Sequence, residues 1–212
     1  MKTDDLIEAL VQDAHQPRQS IARRVLAATV FGALVAGTLF AFTLGVRPDI
    51  GSAVESWRFN FKVALSAIYM ICAWQVSLEL ARPEIRLSDV VWRLAFAPVL
   101  LAAAVLYELL ATPPERWLEQ AVGNYASTCL LAIPSLSIVT LAALLVALRA
   151  GAPRSPVSAG AAAGVLAGCL SAALYATHCP DDSPLFVAVW YALAVGLVTL
   201  TGAFAGRWAL RW

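Results

Sequence analysis

The chain has 212 residues, 60% hydrophobic and 14% charged, with a net charge of +1. A soluble domain is about 45–50% apolar and about 25% charged, so this composition excludes an ordinary globule and describes a chain that crosses a membrane several times. No basic excess and no run of like charges points to direct contact with nucleic acid.

In chain order, the first segment is a polar leader over residues 1–24, MKTDDLIEALVQDAHQPRQSIARR. Asp5 and Glu8 have the capping-box spacing, with Asp in place of Ser or Thr. Leu6, Ile7, Leu10, Val11 and Ala14 recur at helical spacing, which predicts a short amphipathic helix ending before Pro17. About ten residues do not hold a helix in water unaided, so its apolar face needs a partner. The polar face is acidic from Asp4 to Asp13, which suits a groove on another protein better than a lipid surface.

Six apolar stretches follow, at about 25–44, 59–80, 91–110, 126–148, 157–177 and 185–206. Each is long enough to cross roughly 30 Å of hydrocarbon as a helix. None alternates as a barrel strand would. The predicted fold is therefore all-α, a polytopic membrane domain of six transmembrane helices over residues 25–212. The first stretch lacks a convincing A-x-A site and is read as an uncleaved helix.

Placing the N-terminus in the cytoplasm puts all the arginines and lysines inside except Arg47, Arg58, Lys62 and Arg116. That is the positive-inside pattern, and it predicts that both termini are cytoplasmic. Within the spans, Pro98 and Pro134 predict kinks. Glu79, Arg82 and Glu108 fall near span ends rather than at a centre, which argues against a transporter or channel path at the midplane. In the fifth span Gly160, Gly164 and Gly168 recur every fourth residue. That spacing serves either packing within the bundle or a dimer face.

The densest cluster of reactive groups is HCPDDSP at 178–184, between the last two spans and on the outer side in this topology. Three readings of it stand together. Prolines and aspartates can form a tight turn that caps the sixth helix. Cys179 and Cys129, both at outer span ends, can form a reversible disulfide in an oxidising compartment. His178, Cys179, Asp181 and Asp182 can offer ligands to a metal, although their spacing matches no standard zinc pattern. Cys72 and Cys169 lie deeper and read as apolar fillers. With no C-x-x-C, G-x-S-x-G, H-E-x-x-H or phosphate-binding glycine loop, no enzyme is predicted and no cofactor is expected, a metal entering only as a signal.

Several segments together resemble the NrsF-like family, the negative regulators of sigma F. They are TDDLIEAL at 3–10, RPD at 47–49, LARPE at 80–84, Cys129 with Ile133 and Pro134, RAGAP at 149–153 and HCPDDSPLFVAVWY at 178–191. The resemblance implies an anti-sigma factor of the bacterial inner membrane that sequesters an extracytoplasmic-function sigma factor. It implies Cys129 and Cys179 as the sensing pair for metal or oxidative stress. With that function, the leader residues Asp4, Asp5, Leu6, Ile7, Leu10 and Val11 become the expected grip on the partner. Many anti-sigma factors carry a larger cytoplasmic domain than this leader, so the inner loops at 81–92 and 149–156 are expected to contribute. A small transporter or a membrane thiol-redox protein is the alternative.

Overall fold

The computed structural model describes residues 20–211, and every regular element among them is helical. Six helices are long and apolar enough to cross a membrane. They are α1 (Ile21–Thr43), α2 (Trp57–Leu80), α3 (Leu87–Ala111), α4 (Ala126–Leu148), α5 (Pro156–Ala176) and α6 (Pro184–Ala209). Their ends follow local chemistry. The Ser20 hydroxyl accepts the Arg23 N–H at the start of α1, and Ser155 accepts the Ser158 N–H before α5. At the start of α3 the Asp89 carboxylate accepts the Arg86 N–H, which carries the helix four residues beyond its predicted start. Pro98 and Pro134 lie inside helices that continue past them.

Two features add to the six predicted stretches. The connection after α3 is itself helical: a 3-10 turn at Pro114–Arg116 runs into a short helix, Trp117–Val122. Trp117 anchors it by donating its indole N–H to the Thr112 carbonyl at 2.9 Å. Gly123, at φ +58°, ends it. The second is in α6, where Val187–Tyr191 winds as a π-helical turn. Such turns are rare and gather at functional positions.

Helix α5 is central and packs against α6, α2, α4 and α1. Its small residues permit that. A Cβ on Gly164 would stand 2.6 Å from the Val198 carbonyl oxygen, and one on Gly206 of α6 would stand 2.6 Å from that of Pro156. Gly160 faces Gly202, and Gly168 rests on Val195. The glycine stripe is thus occupied by α6 of the same chain.

The start of α1 and the end of α6 share one hydrophobic cluster with Leu80, Leu148 and Leu166, so they lie at the same end of the bundle. There the α2–α3 and α4–α5 connections meet, Ala152 N–H donating to the Ala81 carbonyl at 3.1 Å. Glu79 of α2 pairs with Arg93 of α3 nearby. The opposite end holds a second cluster built on Leu65, Cys129, Tyr175, Cys179, Phe186 and Tyr191. Outward faces between the ends are apolar, with Leu34 at 66% and Leu200 at 68% exposure.

Candidate functional site

The segment from Thr177 to Ser183 closes the second end, and its polar groups bond to several other parts of the chain. Helix α5 finishes when the N–H groups of His178 and Cys179 turn back to the Tyr175 carbonyl, both at 3.0 Å. Pro180 has no N–H to continue the helix. The chain re-enters as α6 at Ser183, whose hydroxyl accepts the Leu185 N–H, with Pro184 in the first turn. Ser183 therefore does the capping that the sequence reading assigned to the aspartates.

Asp181 instead serves α4. One of its carboxylate oxygens accepts the N–H groups of Asn124 and Tyr125, each at 2.9 Å, in the turn that leads into that helix. Gly123 permits this approach. A Cβ there would lie 2.7 Å from the Asp181 carboxylate and 2.5 Å from the Phe186 ring.

Asp182 is held by two cations. Lys62 Nζ lies 2.5 Å from one carboxylate oxygen and an Arg47 guanidinium nitrogen 2.8 Å from the other. Lys62 is fully buried, in the second turn of α2. Its ammonium also donates to the carbonyl of Cys179 at 2.8 Å and of Asp181 at 3.4 Å. A buried ammonium is costly unless paired and hydrogen-bonded, and here it is both. Arg47 spans the gap to the α1–α2 connection, pairing with Asp49 at 2.6 Å while its own N–H donates to the Thr177 carbonyl. That hydrogen-bonded guanidinium holds the exposed Asp49 carboxyl below its ordinary range.

His178 points toward the α1–α2 connection. Its Nδ1 lies 3.0 Å from the Gly45 carbonyl, which can only accept, so Nδ1 carries the hydrogen. The ring packs among Phe40, Tyr125 and Tyr175.

The two cysteines are brought together, but not at the surface. Cys129 in the first turn of α4 and Cys179 are free thiols, fully buried in one cluster with Tyr175, Phe186 and Tyr191. Burial pushes the Cys179 thiol up, against the opposing pull of the Lys62 charge. The other predicted set is not gathered. His178, Cys179, Asp181 and Asp182 turn to separate partners, and among the described residues no three His, Cys, Asp or Glu side chains form a metal cluster. The physical reason is that each carboxylate already neutralises a cation or caps a helix.

Lys62 and Arg47 are the participants that sequence reasoning missed. The available signal was their place among the four basic residues expected apart from the rest, Arg47, Arg58, Lys62 and Arg116. Three of those four are committed to ion pairs. Arg58 completes the set with Glu108, fully buried in the last turn of α3, at 2.7 Å. These buried charges lie at the end of the bundle rather than at its middle, unlike a transport path.

The chain matches the family described as negative regulator of sigma F over residues 10–212. It belongs to the NrsF family. It is 33% identical over 216 residues to the anti-sigma-F factor NrsF of Caulobacter vibrioides (strain NA1000 / CB15N), with both chains covered in full. It is 32% identical over 213 residues, again with both covered in full, to the probable anti-sigma-F factor NrsF of Azospira oryzae (strain ATCC BAA-33 / DSM 13638 / PS). No solved structure matches. The expected partner-binding residues Asp4, Asp5, Leu6, Ile7, Leu10 and Val11 lie outside the described residues. The two loops expected to assist them, 81–92 and 149–156, are in contact through Ala81 and Ala152.

Proposed function

We propose that this NrsF-family chain sits in the bacterial inner membrane and holds an extracytoplasmic-function sigma factor inactive at the cytoplasmic face. A metal or oxidative signal acting on Cys129 and Cys179 then releases it. One observation carries the sensing half of this reading: two thiols lie buried, Cys179 within and Cys129 beside a loop that is anchored to α2, the turn before α4 and the α1–α2 connection. An oxidant would take two electrons and two protons from the pair and join the sulfurs. A thiophilic ion would displace the protons and place charge in an apolar cluster. Either event disturbs the packing under the loop and strains its hold on Lys62 and Asp182. The leader, chiefly Leu6, Ile7, Leu10 and Val11, grips the sigma factor, and the loops at 81–92 and 149–156 contribute to the hold. Coupling requires two helix arrangements that differ in affinity for the partner.

The test is co-purification of the tagged full-length chain from its host membranes, alongside a version lacking residues 3–16. A sigma factor recovered with the first and not the second supports the leader as the grip. Recovery with neither removes the anti-sigma reading for this chain. Cys129→Ser and Cys179→Ser should each hold the output in one state, and parental induction in both would remove the thiol switch alone.

A further inference from the structure

We propose that the groove between the first turns of α1 and the last turns of α4 binds one anionic phospholipid. The inference rests on the reading that the six helices lie in a bilayer. The groove has a volume of about 810 Å³, within the roughly 300–1,000 Å³ of small-molecule sites. Its walls are apolar, including Ala27, Phe31, Val139, Ala143 and Val146. Arg23 and Arg24 stand at its mouth, at the end of the bundle.

Three observations commit the occupant. First, the polarity runs as a phospholipid does, with two guanidinium groups at the helix end and an apolar trough leading away toward the hydrocarbon. Second, the first turn of α1 carries two arginines and no acidic residue. Cations there oppose the helix dipole, whereas an anion at that N-terminus is favoured by the dipole and both side chains. Third, the hollow is built in. Gly32 locks α1 against α4, since a Cβ there would lie 2.5 Å from the Thr140 hydroxyl, and alanines line the turns beyond it. A free phosphate would use the arginines but leave the trough empty. A zwitterionic lipid would fill the trough but carry an ammonium toward the arginines.

The decisive experiment is native mass spectrometry of the purified full-length chain in detergent, titrated with dioleoyl phosphatidylglycerol or dioleoyl phosphatidylcholine. Phosphatidylglycerol should be retained selectively as a single adduct. The double variant Arg23→Gln/Arg24→Gln should weaken it by roughly 10- to 30-fold, from about 1 kcal/mol for each basic residue near an anionic lipid. Ala27→Trp, which fills the trough and keeps both charges, should also lose the adduct. Arg154→Gln, at the same end but outside the groove, should keep it. Equal retention of phosphatidylcholine, or retention untouched by the groove variants, overturns the proposal. Competition by inorganic phosphate at similar concentration also overturns it, leaving a small-anion site. Capture seen only after removal of residues 3–16 would assign the groove to the leader and likewise overturn it. Carbonate-washed membranes keep the two readings distinguishable. A wild-type chain in the supernatant removes the bilayer reading, whereas a chain in the pellet without lipid selectivity removes only the site.

Discussion

Lys62 closes the network around HCPDDSP because its ammonium meets a carboxylate and two carbonyls at once. Removing one partner of such a pair leaves a buried charge uncompensated, whereas replacing both with apolar groups does not. Asp182→Ala should therefore destabilise the domain by about 3–5 kcal/mol, tempered by the remaining carbonyls, while Lys62→Met/Asp182→Leu should recover most of that loss. Thermal unfolding in detergent of the parent, Lys62→Met, Asp182→Leu and Lys62→Met/Asp182→Leu completes the double-mutant cycle, with Asp182→Ala beside it, and simple additivity would dissolve the proposed pairing. Cys179 gives a second test at this scale. Its raised thiol means that the fold favours the neutral form. That contribution is complete below the ordinary thiol pKa of about 8.5 and is lost as pH rises through the raised folded value. Cys179 should thus alkylate far more slowly than an exposed thiol at pH 8, and Asp182→Ala should accelerate it by loosening the loop. Mass spectrometric labelling rates read this directly, and surface-like reactivity in the parent would contradict the burial.

Among the elements, the α5–α6 seam is the least tolerant of added volume. The atoms facing Gly164 are the Val198 carbonyl oxygen and the Thr199 Cα, both backbone, so no rotamer change relieves a new side chain. Gly164→Val should force the helices apart and cost about 1–3 kcal/mol or more. Gly37 in α1 has open space around it, and Gly37→Ala should be neutral or stabilise by up to about 1 kcal/mol. Melting temperatures of the two variants moving in the same direction would undo this contrast. The π-helical turn Val187–Tyr191 begins after a single helical turn, Pro184–Phe186, that follows the loop, and Phe186 and Tyr191 both stand in the thiol cluster. A change beneath the loop therefore bears first on the start of α6, the helix that runs through the glycine seam to the terminal end.

For the whole molecule, the loop anchors and the connections around Ala81 and Ala152 occupy opposite ends of one bundle, joined by α5 and α6. If the anchors set the helix arrangement, Lys62→Met should alter sigma-dependent reporter expression without removing the chain from membranes. Reporter levels unchanged across the inducer range, with normal membrane amounts, would show that the Lys62–Asp182 pair is structural only.

Legible from the residues alone were the six long apolar helices, the common end of Cys129 and Cys179, and the small-residue stripe on α5. These are local sums of hydropathy, length and spacing, which need no knowledge of neighbours. The partner of each aspartate in HCPDDSP, the burial of both thiols and the role of Lys62 emerge from the packing of distant segments. Lys62 bonds a carbonyl 117 residues away, and Asp181 caps a helix that begins more than 50 residues before it. Whether a charge near a span end meets water or a buried carboxylate depends on which helix packs beside it, and no periodicity along the chain records that choice. Asp181 illustrates the limit. Its position before α6 predicted a cap on α6, but a serine nearer that helix took the cap and left the carboxylate free to satisfy α4.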